Sequence, residues 1–220
     1  MKKVPFGELA FVLGVVFTCM GVALMVSSDL GLSMVAAPAY ILGEKFAFLT
    51  TGMAEWGIQG TLFILGCVLM RRFSFPLLLS LAVAALNAAV LDVMLTIYAG
   101  VSAASFMGQL GLYLLGLLSL SLGIAFAFRS YLPCQVHEMF VKVVSEHFGW
   151  NRDKCKIAYD WIFLALALTL SLCFFRRLVG IGIGTVIGTI GNGPLIALWG
   201  KGLDKVFNFA PALKKPAARQ

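Results

Sequence analysis

The residues able to do chemistry in this chain are few, and each lies in or beside an apolar run. Asn87 and Asn192 fall near the centres of two such runs, and Asp92 lies a little beyond Asn87. Glu55 and Asp160 open two more, while Gln135, His137 and Glu138 stand together on a connecting segment. In hydrocarbon an amide or a carboxylate is costly, so such residues face a protein interior or a water-filled cavity and mark solute or ion paths. The two asparagines suit contact with a small polar solute or, equally, an interhelical hydrogen bond. Asp92, Asp160 and the His137–Glu138 pair are candidates to couple a cation, H+ or Na+, and a histidine titrates near neutral pH. Glu55 and Asp160 also suit a plainer role, because an acid is stabilised at a helix N-terminus.

Catalytic signatures are missing. The chain has no His-Glu-x-x-His, no phosphate loop and no Gly-x-Ser-x-Gly, so an enzyme is not expected. Cys19, Cys67, Cys134, Cys155 and Cys173 are scattered and odd in number, which argues against a disulfide. Cys134 and His137 have a ligand-like gap, yet no second pair completes a metal site. Neither cofactor nor metal is expected.

The elements that must position these residues follow from composition. With 60% hydrophobic residues, 12% charged and a mean hydropathy of +0.95, no soluble domain of 220 residues could hide its apolar surface. The short alternating segments of a β-barrel are absent. An all-α polytopic membrane protein is expected. Six runs, at roughly 7–27, 53–70, 74–98, 107–128, 157–175 and 178–199, reach the length of about 20 residues that a span needs. The first is too long for a signal-peptide core and lacks a small-residue cleavage site.

Charge sets the orientation. With both termini cytoplasmic, only Lys45, Arg176 and Arg177 of the 17 basic residues face outward, a strong positive-inside bias. The net charge of +7 then reflects topology and anionic membrane lipids, not nucleic acid.

The last run is the most unusual stretch. Gly180, Gly184 and Gly188 recur every fourth residue, a face that lets another helix approach closely. Gly191, Asn192, Gly193 and Pro194 come next. Because proline has no N–H and clashes with the preceding turn, a broken helix is expected there, with free backbone groups beside a cavity. The expected solute site is lined by Asn87, Asn192, Thr185 and the backbone at Gly191, Gly193 and Pro194.

The chain also repeats itself. Glu55-Trp56 matches Asp160-Trp161, Arg71-Arg72 matches Arg176-Arg177 and Asn87 matches Asn192, each 105 residues on. The stretch from Gly21 to Leu30 resembles that from Gly123 to Leu132, 102 residues on. Each unit, 1–104 and 105–203, holds three spans, an odd number, and a basic tail occupies 204–220. The expected fold is therefore a 3+3 inverted-topology repeat, an arrangement common in secondary transporters. Within each unit a connector, 28–52 or 129–156, is too long for a turn. The second reads as amphipathic, with Val136, Phe140, Val143, Val144 and Phe148 on one face. Either connector could lie on the surface or dip in as a half-helix whose N-terminus favours an anion.

Leu132-Pro133-Cys-Gln-Val-His-Glu-Met-Phe140, Lys156-Ile-Ala-Tyr-Asp160, Gly180-Ile-Gly-Ile-Gly-Thr-Val186 and Gly193-Pro194 resemble the YczE/YitT-like family of small bacterial inner-membrane proteins. The resemblance implies a permease-like protein of the inner membrane. The functional expectation is a secondary transporter for a small polar solute, with anionic solutes included, working by alternating access. A homodimer is compatible with the glycine faces. The alternative is a non-transporting scaffold or accessory subunit.

Overall fold

The computed structural model describes residues 7–130 and 133–207, residues 152 and 153 for their backbone only. Its elements are α1 (Gly7–Ser28), α2 (Ala37–Lys45), α3 (Thr51–Met70), α4 (Phe75–Tyr98), α5 (Phe106–Ala127), α6 (Val136–Phe148), α7 (Arg152–Phe175) and α8 (Ile183–Val206). Six are long and apolar enough to cross a membrane, and α2 and α6 are the short pair between them. Local chemistry sets the ends. The Thr50 hydroxyl accepts from Met53 N–H at the start of α3, and that of Ser105 accepts from Gly108 N–H at the start of α5, each satisfying a donor that a helix start leaves free. Gly149, at φ +68°, ends α6 in the left-handed conformation that glycine adopts without penalty. Most of the basic tail expected at 204–220 lies outside the described residues.

The last span departs from expectation. It runs Ile183–Val206 and passes through Pro194 without a break, so no open backbone forms at 191–194. Gly193 and Pro194 are exposed, and a side chain added at Gly193 would meet nothing within 4 Å. Inside the unbroken helix the proline has no N–H for the Ile190 carbonyl and its ring crowds that same carbonyl. Pro194→Ala is expected to keep the fold and raise the thermal midpoint in detergent, gaining up to about 3 kcal/mol; a lower midpoint would contradict this account of the helix. Gly180 also falls outside α8, in the preceding link at φ +68°.

The core is the crossing of α1 and α5, which run antiparallel with their backbones in contact. A Cβ on Gly21 would sit 2.5 Å from Leu120 N and 2.7 Å from Gly116 O, and one on Gly123 would sit 2.4 Å from Thr18 N and 2.8 Å from Gly14 O. Four glycines therefore create this interface. Around it α4 packs on α1 and α8 packs on α5, while α3 touches α2, α4 and α6, and α7 touches α2 and α6. Gly184 and Gly188 on α8 face the Tyr113 ring of α5, and the Tyr113 hydroxyl donates to the Gly184 carbonyl. Among the described residues, α8 packs against neither α4 nor α7.

The end of the bundle where α1 begins is here the near end, and the end where α1 finishes is the far end. The short helices lie inside the bundle, not on its surface. Val136, Phe140, Val141 and Val144 of α6 are buried with Leu62, Met70 and Leu77. Val136 N–H, at the start of α6, donates to Gln59 Oε1 at 3.1 Å, halfway along α3. From there α6 descends past Gly66 to the near end. At the other side Val35, just before α2, packs into the same cluster. The Phe46 ring that ends α2 meets Phe174 near the far end of α7, centroids 5.7 Å apart. Both short helices thus start in the middle of the bundle and leave towards opposite ends.

Candidate functional site

A chain of polar side chains gathers where α6 begins. Glu55 and Gln59 are one turn apart on α3, so they share a face, and Gln59 Nε2 donates to Glu55 Oε1 at 3.0 Å. The same Glu55 oxygen lies 2.7 Å from His137 Nε2 on α6. The other ring nitrogen, Nδ1, lies 2.5 Å from the Tyr159 hydroxyl on α7. With His137 neutral and Glu55 ionised, one tautomer satisfies every contact: Nε2–H donates to the carboxylate and Tyr159 donates to Nδ1. Phe163 closes the histidine on its other side, its ring edge-on at 5.5 Å. The second carboxylate oxygen of Glu55, Oε2, is buried and has no hydrogen-bond partner. A buried carboxylate oxygen without a donor is expensive, and a proton or a solute donor would relieve it.

One turn further, charge accumulates. Lys156 Nζ lies 3.2 Å from Glu138 Oε1 and 3.0 Å from Asp160 Oδ1, and it sits 5.3 Å from the centroid of the Tyr159 ring. Glu138 and Asp160 contact the lysine and Glu55 contacts the histidine, so the cluster holds three carboxylates and one lysine, an excess of two negative charges when all four are ionised and His137 is neutral. Each proton taken up lowers that excess by one. The arrangement can therefore hold and release protons, or a monovalent cation in their place, inside an apolar bundle.

The expected site residues divide between this cluster and other places. His137, Glu138 and Asp160 belong to it. Asn87 adjoins it: its Oδ1 accepts from Gln135 Nε2 at 3.2 Å, and its own amide donates to Val83 O at 3.2 Å. Asp92 does not join, because it caps the start of α3, accepting from Gly52 N–H at 2.7 Å and from the Thr50 hydroxyl at 2.6 Å. Asp92→Ala is expected to cost about 2 kcal/mol through these charge-assisted bonds, read as a lower thermal midpoint that Asp92→Asn partly restores. Asn192, Gly191, Gly193 and Pro194 are on α8, apart from α4, so Asn87 and Asn192 do not meet. Thr185 is buried at the start of α8, its hydroxyl accepting from Gly182 N–H at 3.2 Å. Gln59, Lys156 and Tyr159 were missed in the sequence. Their signal was spacing: Glu55–Gln59 and Lys156–Asp160 each put two polar groups on one helical face inside an apolar run.

A model of a family of unknown function (DUF6198) matches residues 6–201, nearly the whole chain. No curated protein and no solved structure matches it.

Proposed function

The chain belongs to the family of unknown function DUF6198, and from its geometry we propose that it is a proton-coupled secondary transporter for a small polar solute. The observation that carries this reading is the buried Glu55–His137–Tyr159 chain at the mid-bundle start of α6. Titratable groups are costly at that depth, and proton relays are one of the uses that retain them there. A proton on Glu55 or His137 removes one surplus negative charge and changes what the neighbouring amides, Gln59 and Gln135, can bind. We place the near end in the cytoplasm and the chain in a bacterial inner membrane, and we keep within the proposal its kinship to YczE/YitT-like proteins.

The proposal includes the inverted 3+3 repeat. Gly14 and Gly21 correspond to Gly116 and Gly123, 102 residues on, and Gly21 meets Gly116 as Gly14 meets Gly123. Such reciprocal pairing is what a two-fold axis across the α1–α5 crossing requires. The packing of α4 on α1 is mirrored by α8 on α5, and that of α3 on α6 by α7 on α2. The halves differ where alternating access expects them to: α3 packs on α4, while α7 stands off α8. Two cavities support the same idea. One of about 240 Å³ opens at the far end, lined in part by Met25, Gly31 and Leu32. The other, about 20 Å³, is lined by Ala127, Pro133 and Cys134, the positions 102 residues on, and by Asn87 and Gln135. In this reading the far cavity is the expanded form and its counterpart the collapsed form of one repeated feature.

The test is reconstitution in liposomes with a trapped pH dye. A solute found by thermal-shift screening should drive proton movement through wild type. Solute uptake without proton movement would remove the coupling, and no uptake of any bound solute would remove the transporter reading. A scaffold or accessory role is favoured by one feature, the separation of α7 and α8, which leaves Asn192 Oδ1 buried without a partner beside an open Gly193. A helix from another chain, a second copy included, would fit there, and stable co-purification of such a chain would support that role.

A further inference from the structure

The far cavity is walled by unusual backbone. Asp29 (φ 56°) lines it in the left-handed region, where a non-glycine residue is sparsely populated and marks places that hold a ligand, and it lies beside Gly31 (φ 109°) and Gly180 (φ 68°), glycines that adopt this region freely. Hydrogen bonds fix them. Leu32 N–H donates to Gly180 O at 2.9 Å, and Gly184 N–H donates to Leu30 O at 2.8 Å. A Cβ on Gly31 would stand 2.5 Å from Gly182 N, so the two backbones can approach only at glycine.

Its charges are mixed and unjoined. Asp29, Glu44 and Arg177 all line the cavity, yet among the described residues no ion pair links them. Tyr40 lies between. Its phenol is a hydrogen-bond donor at neutral pH, as any phenol is, with the Glu44 and Asp29 carboxylates close by. Arg177, an exception to the positive-inside pattern, gains a use here: its planar fork suits a carboxylate held bidentately. A volume of about 240 Å³ equals that of roughly eight waters at about 30 Å³ each, room for an amino-acid-sized molecule.

We propose that this cavity binds a small zwitterion, its carboxylate on Arg177 and its ammonium between Asp29 and Glu44. That the bound zwitterion is also the solute carried rests on the transporter reading; the binding does not. Alanine, β-alanine and 4-aminobutanoate, which step the charges apart, should be titrated into the purified protein beside propionate and propylamine. At least one zwitterion should bind saturably and at least 10-fold tighter than either half-molecule. Arg177→Gln and Asp29→Asn should each weaken it more than 10-fold; both side chains are exposed, and asparagine tolerates the left-handed conformation at 29. Glu44→Gln gives an independent arm should either variant aggregate on gel filtration. A half-molecule binding as tightly, a zwitterion indifferent to the variants, or no zwitterion bound at all would each overturn the assignment. Binding that persists in Glu55→Gln while uptake is lost would separate this site from the proton pathway.

Discussion

Gly21→Ala is expected to prevent the chain from folding. The added methyl would stand 2.5 Å from Leu120 N and 2.7 Å from Gly116 O, and both are backbone atoms that no rotamer change can move. The α1 and α5 axes must separate, which takes Cys19, Val22 and Leu120 out of the shared core. Overpacking a core costs typically 1–3 kcal/mol, and here the cost is expected at about 3 kcal/mol or more because backbone must shift. The control lies in the same protein. Gly57 and Gly60 have nothing within 4 Å of an added Cβ, so Gly57→Ala and Gly60→Ala should be neutral or stabilise α3 by up to about 1 kcal/mol. Gel filtration in detergent reads the difference: an aggregated Gly21→Ala beside monodisperse controls. A monodisperse Gly21→Ala with an unchanged thermal midpoint would contradict the α1–α5 crossing.

The spans were legible in the sequence because length and apolarity alone define them. Five of the six runs coincide with α1, α3, α4, α5 and α7 to within a few residues. The sixth did not, since Gly180-Ile-Gly reads as apolar as the helix after it, while a left-handed Gly180 delays the helix to Ile183. Pro194 predicts a break from propensity alone, yet a membrane helix can continue through a proline when its packing outweighs one lost hydrogen bond and a crowded carbonyl. The glycines that matter most form two pairs, Gly14 with Gly21 and Gly116 with Gly123, each seven residues apart, a spacing less conspicuous than the fourfold one at Gly180. The polar cluster was half legible. His137, Glu138 and Asp160 stand out in the sequence, but nothing in a linear sequence says that α6 begins beside Glu55. That contact is made by burial of α6, a tertiary fact. The unbroken α8 moves the proposed pathway from Asn192 to Glu55 and His137, so the transporter reading now stands on α3, α6 and α7.

Glu55→Gln is expected to abolish proton-coupled uptake while leaving the protein folded. Glutamine keeps the shape and can still accept from His137 and Gln59, so the packing of α6 survives. It cannot take up a proton, and the effect of losing a positioned acid–base group is about 100-fold or more. His137→Ala is the contrasting case. It strips Glu55 of the donor at 2.7 Å and Tyr159 of its acceptor at 2.5 Å, leaving buried groups unpaired at about 3–5 kcal/mol, so it should lose stability as well as uptake. Uptake in Glu55→Gln within a few-fold of wild type would remove Glu55 from the pathway.

Alternating access requires the middle of this bundle to open to each side in turn. With Cys19, Cys67, Cys134, Cys155 and Cys173 replaced by serine, Ala84→Cys, at a fully buried position in the cluster where α6 begins, can be challenged in liposomes with a membrane-impermeant maleimide. Labelling of the same population from outside and, separately, from inside is the result predicted. Labelling from one side only, or from neither, would contradict it.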